Sequence, residues 1–408
     1  MRAWCRRAGL RRDRASPESL RRFADRPCHD VGVAVTIAEL EQIGLAAGLC
    51  AVGATTADPF PAVRGDLEER KARGLDAGMQ FTYRNPARST DPDRSLPGAT
   101  TLIVGAYDYQ RLEPHRPIGE PSGRVAAYSW EDHYAELRAG LESMAAVLRA
   151  SGHRAIVLAD QNHLVDRAAA HRAGIGWWGK SSNVLVPGVG SLVVLGSVLT
   201  DAPLAVSSPT MVEDGCRSCT KCLEGCPTGA IIEPGVIDAA RCLAWLLQTD
   251  GSFPVDYRVA LGDRIYGCDD CQDVCPPNQV RRRRPSGAGD DGAWVPILEV
   301  LALDDTALMD RLGRWYIPDR DPAFLRRNLL VVLGNIGAAD DPRVGAALAE
   351  ALDHLRAVVR AHAVWAARRL GLDSLLSTVA ADTDESVRLE LERDEVPRAE
   401  VGSGPATA

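Results

Sequence analysis

The segment from Cys216 to Cys275 constrains this chain more than any other. It reads CRSCTKCLEGCP, then a single Cys242, then CDDCQDVCP, and it holds eight of the eleven cysteines. The first block spaces its thiols as C-x2-C-x2-C-x3-C-P, the ligand run of bacterial two-cluster iron-sulfur sites, in which the fourth cysteine serves the other cluster. A second full run needs a cysteine at position 265, where Ile265 stands, so Cys268, Cys271 and Cys275 are one thiol short. Cys242 restores the count. With crossover, Cys216, Cys219, Cys222 and Cys275 hold one 4Fe-4S cluster, and Cys226, Cys242, Cys268 and Cys271 hold the other. Two closed zinc sites would use the same thiolates but give no role to the pairs Cys226-Pro227 and Cys275-Pro276. A disulfide framework is less favoured still, because a chain of 408 residues buries a core without staples.

That length fits two or three domains, and an apolar fraction of 46 % is that of a soluble globular protein. No apolar run approaches the length of a membrane span, so no membrane is expected. Oxygen-sensitive clusters and unpaired thiols point to the cytoplasm. A net charge of -8 argues against a chain coated in basic surface, while leaving room for a local basic patch. Arg281 to Arg284 form one, read equally well as RNA phosphate contact or as a solvated linker into PSGAGDDG. Residues 1–30 are arginine-rich without periodicity and read as a disordered extension. Their twin arginines do not make an export signal, because Asp25, Arg26, His29 and Asp30 interrupt the path to any apolar core.

Periodicity divides the rest. Thr36 and Glu39 form a capping box that opens a helix carrying Ile37, Leu40, Ile43 and Ala47 and stopping near Gly48. An exposed helical stretch follows in DLEERKARGLDAGM, then a loop in TYRNPARSTDPDRSLPG. Thr101 to Ala106 reads as a buried strand. Tyr134, Leu137, Leu141, Met144 and Leu148 step by three and four through a helix from Trp130 to Ser151. Ala155 to Ala159 is a second strand ending at Asp160, and after a short helix AGIGWWGKSSNVLV is a glycine-bearing loop leading into strands in SLVVLGSVLT. The expected fold class is therefore α+β: an N-terminal α/β domain at 31–205, a ferredoxin-like two-cluster domain at 206–280, and a linker at 281–293. Beyond the linker the pattern is helices only. FLRRNLLVVLGNIG at 324–337 overlays VVRAHAVWAARRLG at 358–371, so 294–395 reads as an all-α HEAT-like repeat, with a truncated unit around DESVRLELER. Such a stack is more often a docking surface than a catalytic unit. Residues 396–408 read as a disordered tail.

Two clusters relay single electrons, and something upstream must accept them. No G-x-G-x-x-G follows a strand, so a dinucleotide fold is unsupported. Taken alone, Asp160 is an ordinary strand-end aspartate that closes a turn or caps a helix. His163 and His171 read as satisfied histidines, and Cys5, Cys28 and Cys50 as ordinary thiols.

Taken together, AGIGWWGKSSN, GSLVVLGSVLTD, CRSCTKCLEGCPTGAI, RCLAWLLQ, RIYGCDDCQDVCP and RRNLLVVLGNIG resemble, in order, the epoxyqueuosine reductase family, which completes queuosine at the wobble position of certain tRNAs. The resemblance implies a base-off cobalamin in the first domain, fed by the clusters, and a two-electron reduction of an epoxide to an alkene. The D-x-H-x-x-G motif of base-displacing cobalamin domains is absent, so the cofactor rests on resemblance. The family's proton donor, fourteen residues before the first glycine of the AGLGW-type motif, maps onto Asp160 before Gly174. The resemblance also implies that Gly179, Lys180, Ser181 and Val184 line the cobalamin, with Ala244 close by and Arg88 a further contact. It implies a tRNA anticodon loop as substrate, an external low-potential electron donor, and a monomer. This chain departs from the family pattern with GKSS for GKNT, Ala244 for a serine, CPPN for CPWN and Thr249 for a glutamate, all around the cofactor and substrate. A reductive dehalogenase-like enzyme acting on a small molecule and a ferredoxin-type electron carrier are the competing readings.

Overall fold

In the computed structural model the described residues are 35–206, 212–282, 291–394 and 396. The expected arginine-rich extension, Cys5, Cys28, Arg283, Arg284 and the tail from 397 lie outside them, as do the side chains of Arg281 and Arg282.

The first helix, α1 (Ile37–Ala46), starts as its capping box dictates: Glu39 N–H donates to Thr36 Oγ1 at 3.2 Å, and Thr36 N–H donates to the Glu39 carboxylate at 3.0 Å. Then come β1 (Ala51–Thr56), α2 (Pro61–Ala72) and the single turn α3 (Pro86–Ser89) inside the expected loop. After β2 (Thr101–Asp108), β3 (Ser122–Val125) and the long α4 (His133–Ala150), β4 (Ala155–Ala159) leads into α5 (Asp166–Arg172). A hairpin of β5 (Trp177–Trp178) and β6 (Val184–Leu185) precedes β7 (Val193–Thr200).

These strands form a sheet of order β1-β2-β7-β4 in which every pair is antiparallel. The expectation of an α/β first domain is corrected accordingly: a parallel sheet needs crossover helices between neighbours, and none of these neighbours is parallel. Alternation along β2 sends Leu102, Val104 and Ala106 to one face with α5, and Ile103 to the other with α1 and α4. α4 lies close on its face because the strand positions beneath it are small. A Cβ on Gly196 would sit 2.8 Å from Leu141 Cδ1, and one on Gly105 3.0 Å from Leu141 Cδ2.

The thiol segment is built of short pieces: α6 (Lys221–Glu224), β8 (Ile231–Glu233), β9 (Val236–Ile237), α7 (Leu243–Leu246), α8 (Val255–Leu261), β10 (Arg264–Tyr266), α9 (Asp270–Asp273) and α10 (Pro276–Arg282). Next is β11 (Trp294–Pro296), so the helices-only reading of 294 onward fails at its first residues. β3 sits between β10 and β11 in a three-stranded sheet, parallel to the first and antiparallel to the second. One strand from each third of the chain thus meets in this sheet.

Among the described residues six α-helices follow: α11 (Ile297–Leu301), α12 (Asp305–Leu312), α13 (Ala323–Ile336), α14 (Pro342–Leu352), α15 (Ala357–Leu370) and α16 (Glu385–Leu391). α13 and α15, the two segments that overlay in sequence, pack directly together. A Cβ on Gly334 would lie 2.7 Å from Trp365 Cζ3, and Arg369 Nε donates to Asn335 Oδ1 at 3.0 Å. Among the described residues no helix is long and apolar enough to cross a membrane.

Candidate active site and thiolate centres

Short turns present the thiols. Cys219 N–H donates to Cys216 O at 2.8 Å, and Arg217 between them takes a left-handed φ of 43°. Cys275, remote in sequence, lies among the first block. Burial pushes its thiol up to about 11, and the neighbouring Cys216, Cys222 and Cys219 push the same way. Burial also raises Cys271, followed by its neighbours Cys242, Asp269, Cys226 and Cys222. Cys268 is raised chiefly by burial and then by Asp270, with Cys271 close enough to add. Cys242 is raised by burial, with Cys226 beside it. No disulfide joins the described cysteines.

Such crowding of buried thiols disfavours thiolates unless cations compensate them, which is what bound iron would do. Among the described residues no three His, Cys, Asp or Glu side chains converge on one metal-ion position. In an iron-sulfur cluster each thiolate reaches its own iron, so two sets of four thiols serve two clusters.

Asp160 ends β4 with a left-handed φ of 56°. The loop it opens is tied to the α3 region at three points. Thr82 N–H donates to Asn162 Oδ1 at 2.8 Å, Arg88 Nη2 meets His163 Nε2 at 2.7 Å, and Val165 N–H donates to Ser89 O at 3.1 Å. Asp160 is reachable from solvent yet crowded enough that burial raises its pKa, with Arg138 opposing and Asp132 reinforcing the rise. The same charge raises Tyr134 and Tyr266 behind burial, and Asp166 feels burial first and Asp160 next. Burial and Asp132 therefore favour the protonated form of Asp160, and Tyr134, Tyr266 and Asp166 lie within reach of its charge.

The β5–β6 hairpin carries the other expected contacts. Gly179 N–H donates to Asn183 O at 2.8 Å and Ser182 N–H to Gly179 O at 2.9 Å, while Ser181 and Val184 are buried. Lys180 Nζ donates to Arg217 O at 2.7 Å, which ties the hairpin to the first thiol block. Ala244 lies in α7, which begins directly after Cys242, and its carbonyl accepts from Gln248 Nε2 at 2.9 Å. Arg167 joins these parts: its Nη1 donates to Ser182 O at 3.2 Å, and its charge reaches Asp166, Tyr134 and Cys242. Sequence reading missed Arg167, Arg138 and Tyr266. The one cue for Arg167 is a cation opening the otherwise small-residue run Ala168–Ala170.

Trp177 Nε1 is a buried donor with no partner, and its ring lies against Gly215, where a Cβ would sit 2.7 Å from Trp177 Cζ2. An orphaned donor between the hairpin and the thiol segment fits a ligand rich in acceptors, and the amide-fringed rim of cobalamin is one.

Residues 215–278, which contain all eight clustered cysteines, match the family described as 4Fe-4S double cluster binding domain. A Bacillus cereus protein named epoxyqueuosine reductase is 32 % identical over 359 residues, 85 % of this chain and 93 % of that one. The chain belongs to the epoxyqueuosine reductase family. Its fold agrees with solved family members. A crystal structure of epoxyqueuosine reductase with a tRNA-Tyr epoxyqueuosine-modified stem loop superposes with a TM-score of 0.78 at 30 % identity, covering 87 % of this chain and 96 % of that one. The Bacillus subtilis enzyme, with a catalytic loop named for an aspartate swung out of its active site, gives the same TM-score, identity and coverage.

Proposed function

We propose that the chain reduces epoxyqueuosine to queuosine at the wobble position of tRNA, with Asp160 as proton donor. Beside family membership, the observation that carries this reading is the carboxyl of Asp160: accessible, raised in pKa by burial, and set at a strained strand end among Tyr134, Tyr266 and Asp166. When bound, cobalamin and two 4Fe-4S clusters supply the electrons of the two-electron step that turns an epoxide into an alkene. The overall change also consumes two protons and releases water. Asp160, protonated, supplies one of them to the oxygen that leaves carbon, and solvent supplies the other.

Arg88 with His163, and Asn162 with the Thr82 amide, hold the loop that aims this carboxyl. Arg88, Gly179, Lys180, Ser181, Val184 and Ala244 are the residues we assign to the cobalamin. Cys216, Cys219, Cys222 and Cys275 are assigned to one cluster, and Cys226, Cys242, Cys268 and Cys271 to the other. The helices from α13 to α16 are read as a HEAT-like docking surface for the anticodon loop, whose target base must leave its stack to reach Asp160. The protein is read as a cytoplasmic monomer served by an external low-potential donor.

The test is direct. The full chain is purified without oxygen, loaded with iron, sulfide and cobalamin, and given epoxyqueuosine-containing tRNA with a strong reductant. Queuosine is the expected product. A loaded enzyme that leaves this tRNA unchanged overturns the substrate, and turnover of a small organohalide in its place favours the dehalogenase-like reading.

A further inference from the structure

α13 turns a row of polar side chains toward the segment that connects Cys242 to Cys268. Arg327 on this helix is 0 % exposed, and its guanidinium is divided between backbone carbonyls and the Asn328 side chain. Nη1 donates to Thr249 O at 2.8 Å, Asp250 O at 3.2 Å and Gly251 O at 2.8 Å. Nε and Nη2 both donate to Asn328 Oδ1, at 3.1 and 2.9 Å, which aims the Asn328 amide at Leu247 O at 2.9 Å. The rings of Phe324 and Phe253 lie 5.3 and 6.0 Å from the cation. Two more side chains of the helical stack extend the row. Asn335 Nδ2 donates to Arg258 O at 2.7 Å and Gly262 O at 3.0 Å, and His362 Nε2 accepts from Phe253 N–H at 3.0 Å.

These carbonyls matter because of where they lie. α7 is a single turn that begins directly after Cys242 and carries Ala244. A helix this short cannot satisfy its own last carbonyls or fix its own direction. Its exit, Leu247 through Gly251, is held from outside by Asn328 and Arg327. Arginine alone can divide its donors this way, Nη1 to the carbonyls of 249–251 and the Nε–Nη2 edge to Asn328 Oδ1, since the lysine ammonium is a point donor.

We propose that Arg327 is a positioning residue for the second thiolate set, holding Cys242 and Ala244 in place through the carbonyls of 247–251. The helical stack is then part of the framework of the redox centre as well as a docking surface. This inference rests on the iron-sulfur reading of the thiols.

The test uses the full-length, reconstituted protein in two backgrounds: Cys219→Ala, which leaves the second cluster as the reporter, and Cys242→Ala, which leaves the first. Arg327→Met and Arg327→Lys are compared with Arg326→Met. Arg326 is a neighbour on α13, but its donors go to Leu301 O, Leu303 O and Asp305 inside the stack. Chelator-driven decay of each reduced-cluster EPR signal is the readout, with circular dichroism as a check on folding. For Arg327→Lys, folded by circular dichroism, the second cluster is expected to decay about tenfold faster, the scale of losing one or two buried charged hydrogen bonds, with an altered EPR line shape. The first cluster is expected to keep its wild-type lifetime, and Arg326→Met to leave both unchanged. Wild-type lifetimes for both clusters in both Arg327 variants overturn the inference. So does equal acceleration of both clusters, or the same effect from Arg326→Met, because each marks a general loss of stability. A wild-type chain that takes up no clusters fails the iron-sulfur reading instead, before Arg327 is tested.

Discussion

Asp160 combines two features that rarely coincide in a structural aspartate. Its backbone is left-handed, a region that aspartate and asparagine tolerate better than most residues, and its carboxyl is accessible yet raised in pKa by burial. Asp160→Asn keeps the backbone preference and the shape while removing the proton. The expected result is a fall in kcat of roughly 10²- to 10⁴-fold with both clusters retained, measured as queuosine formed per minute beside the EPR signal. A near-wild-type rate removes Asp160 from the chemistry. The pH dependence follows from the sign of the shift. A general acid must be protonated, so the rate falls as pH rises through the raised pKa, and the carboxyl's contribution to folding is lost over the same rise because the folded state binds the proton more tightly. Arg138 pulls this pKa down, with its guanidinium 5.7 Å from the ring centre of Tyr134, so Arg138→Met should move the falling limb to higher pH. A limb that moves to lower pH contradicts that arrangement.

At the scale of elements, the position of Asp160 depends on how closely β4 pairs with β7. Gly196 of β7 is registered with Ala159 on one side and Gly105 on the other. A Cβ at Gly196 would meet Leu141 Cδ1 at 2.8 Å, Ala159 Cβ at 3.0 Å and Leu158 O at 3.0 Å. The leucine can turn away, but the carbonyl belongs to the strand that ends in Asp160. Gly196→Ala is therefore expected to cost about 1–3 kcal/mol in urea unfolding and to lower kcat as well. Unchanged stability means that the strand gives way freely. This close packing was invisible in the sequence, where GSLVVLGSVLT reads only as a strand. Local signals were legible: the capping box of Thr36 and Glu39, the three-four spacing through α4, and the overlay of α13 on α15. β1 was not, because in AVGATT the branched residues Val52, Thr55 and Thr56 are split by Gly53 and Ala54 and make no apolar-polar alternation, and β11 was not, because three residues become a strand only by pairing with β3. The same divide runs through the site. Cysteine spacing is local and readable, whereas Tyr266 comes within reach of Asp160, and Arg167 of Cys242, only when distant segments meet.

For the whole molecule, the question is how firmly the helical stack is joined to the thiol segment. Beyond the carbonyl contacts of Arg327, the joint contains an ion pair removed from water: Arg258 Nη2 donates to Glu390 Oε1 at 2.8 Å, with the side chains 2 % and 6 % exposed. Arg258 also donates from Nε to Phe253 O at 2.9 Å and lies 5.5 Å from the ring centre of Trp365, while its Nη1 is buried without a hydrogen-bond partner. A guanidinium so placed has little margin. Glu390→Gln leaves its charge uncompensated in a dry interior, and the expected cost is about 3–5 kcal/mol, read as a fall in the urea midpoint at an unchanged m-value. Arg258→Met combined with Glu390→Leu removes both buried charges and should recover most of that loss, because neither desolvation penalty is then incurred and Arg393, the other partner of Glu390, is 30 % exposed and keeps its access to water. A double variant as unstable as the single one means that Arg258 holds the joint by shape and by its bond to Phe253 O. A single variant costing less than about 1 kcal/mol would instead assign the pair the weight of an exposed salt bridge, and the joint would rest on the carbonyl row of α13, the His362 bond to Phe253 and the stacking of Tyr266 on Trp315.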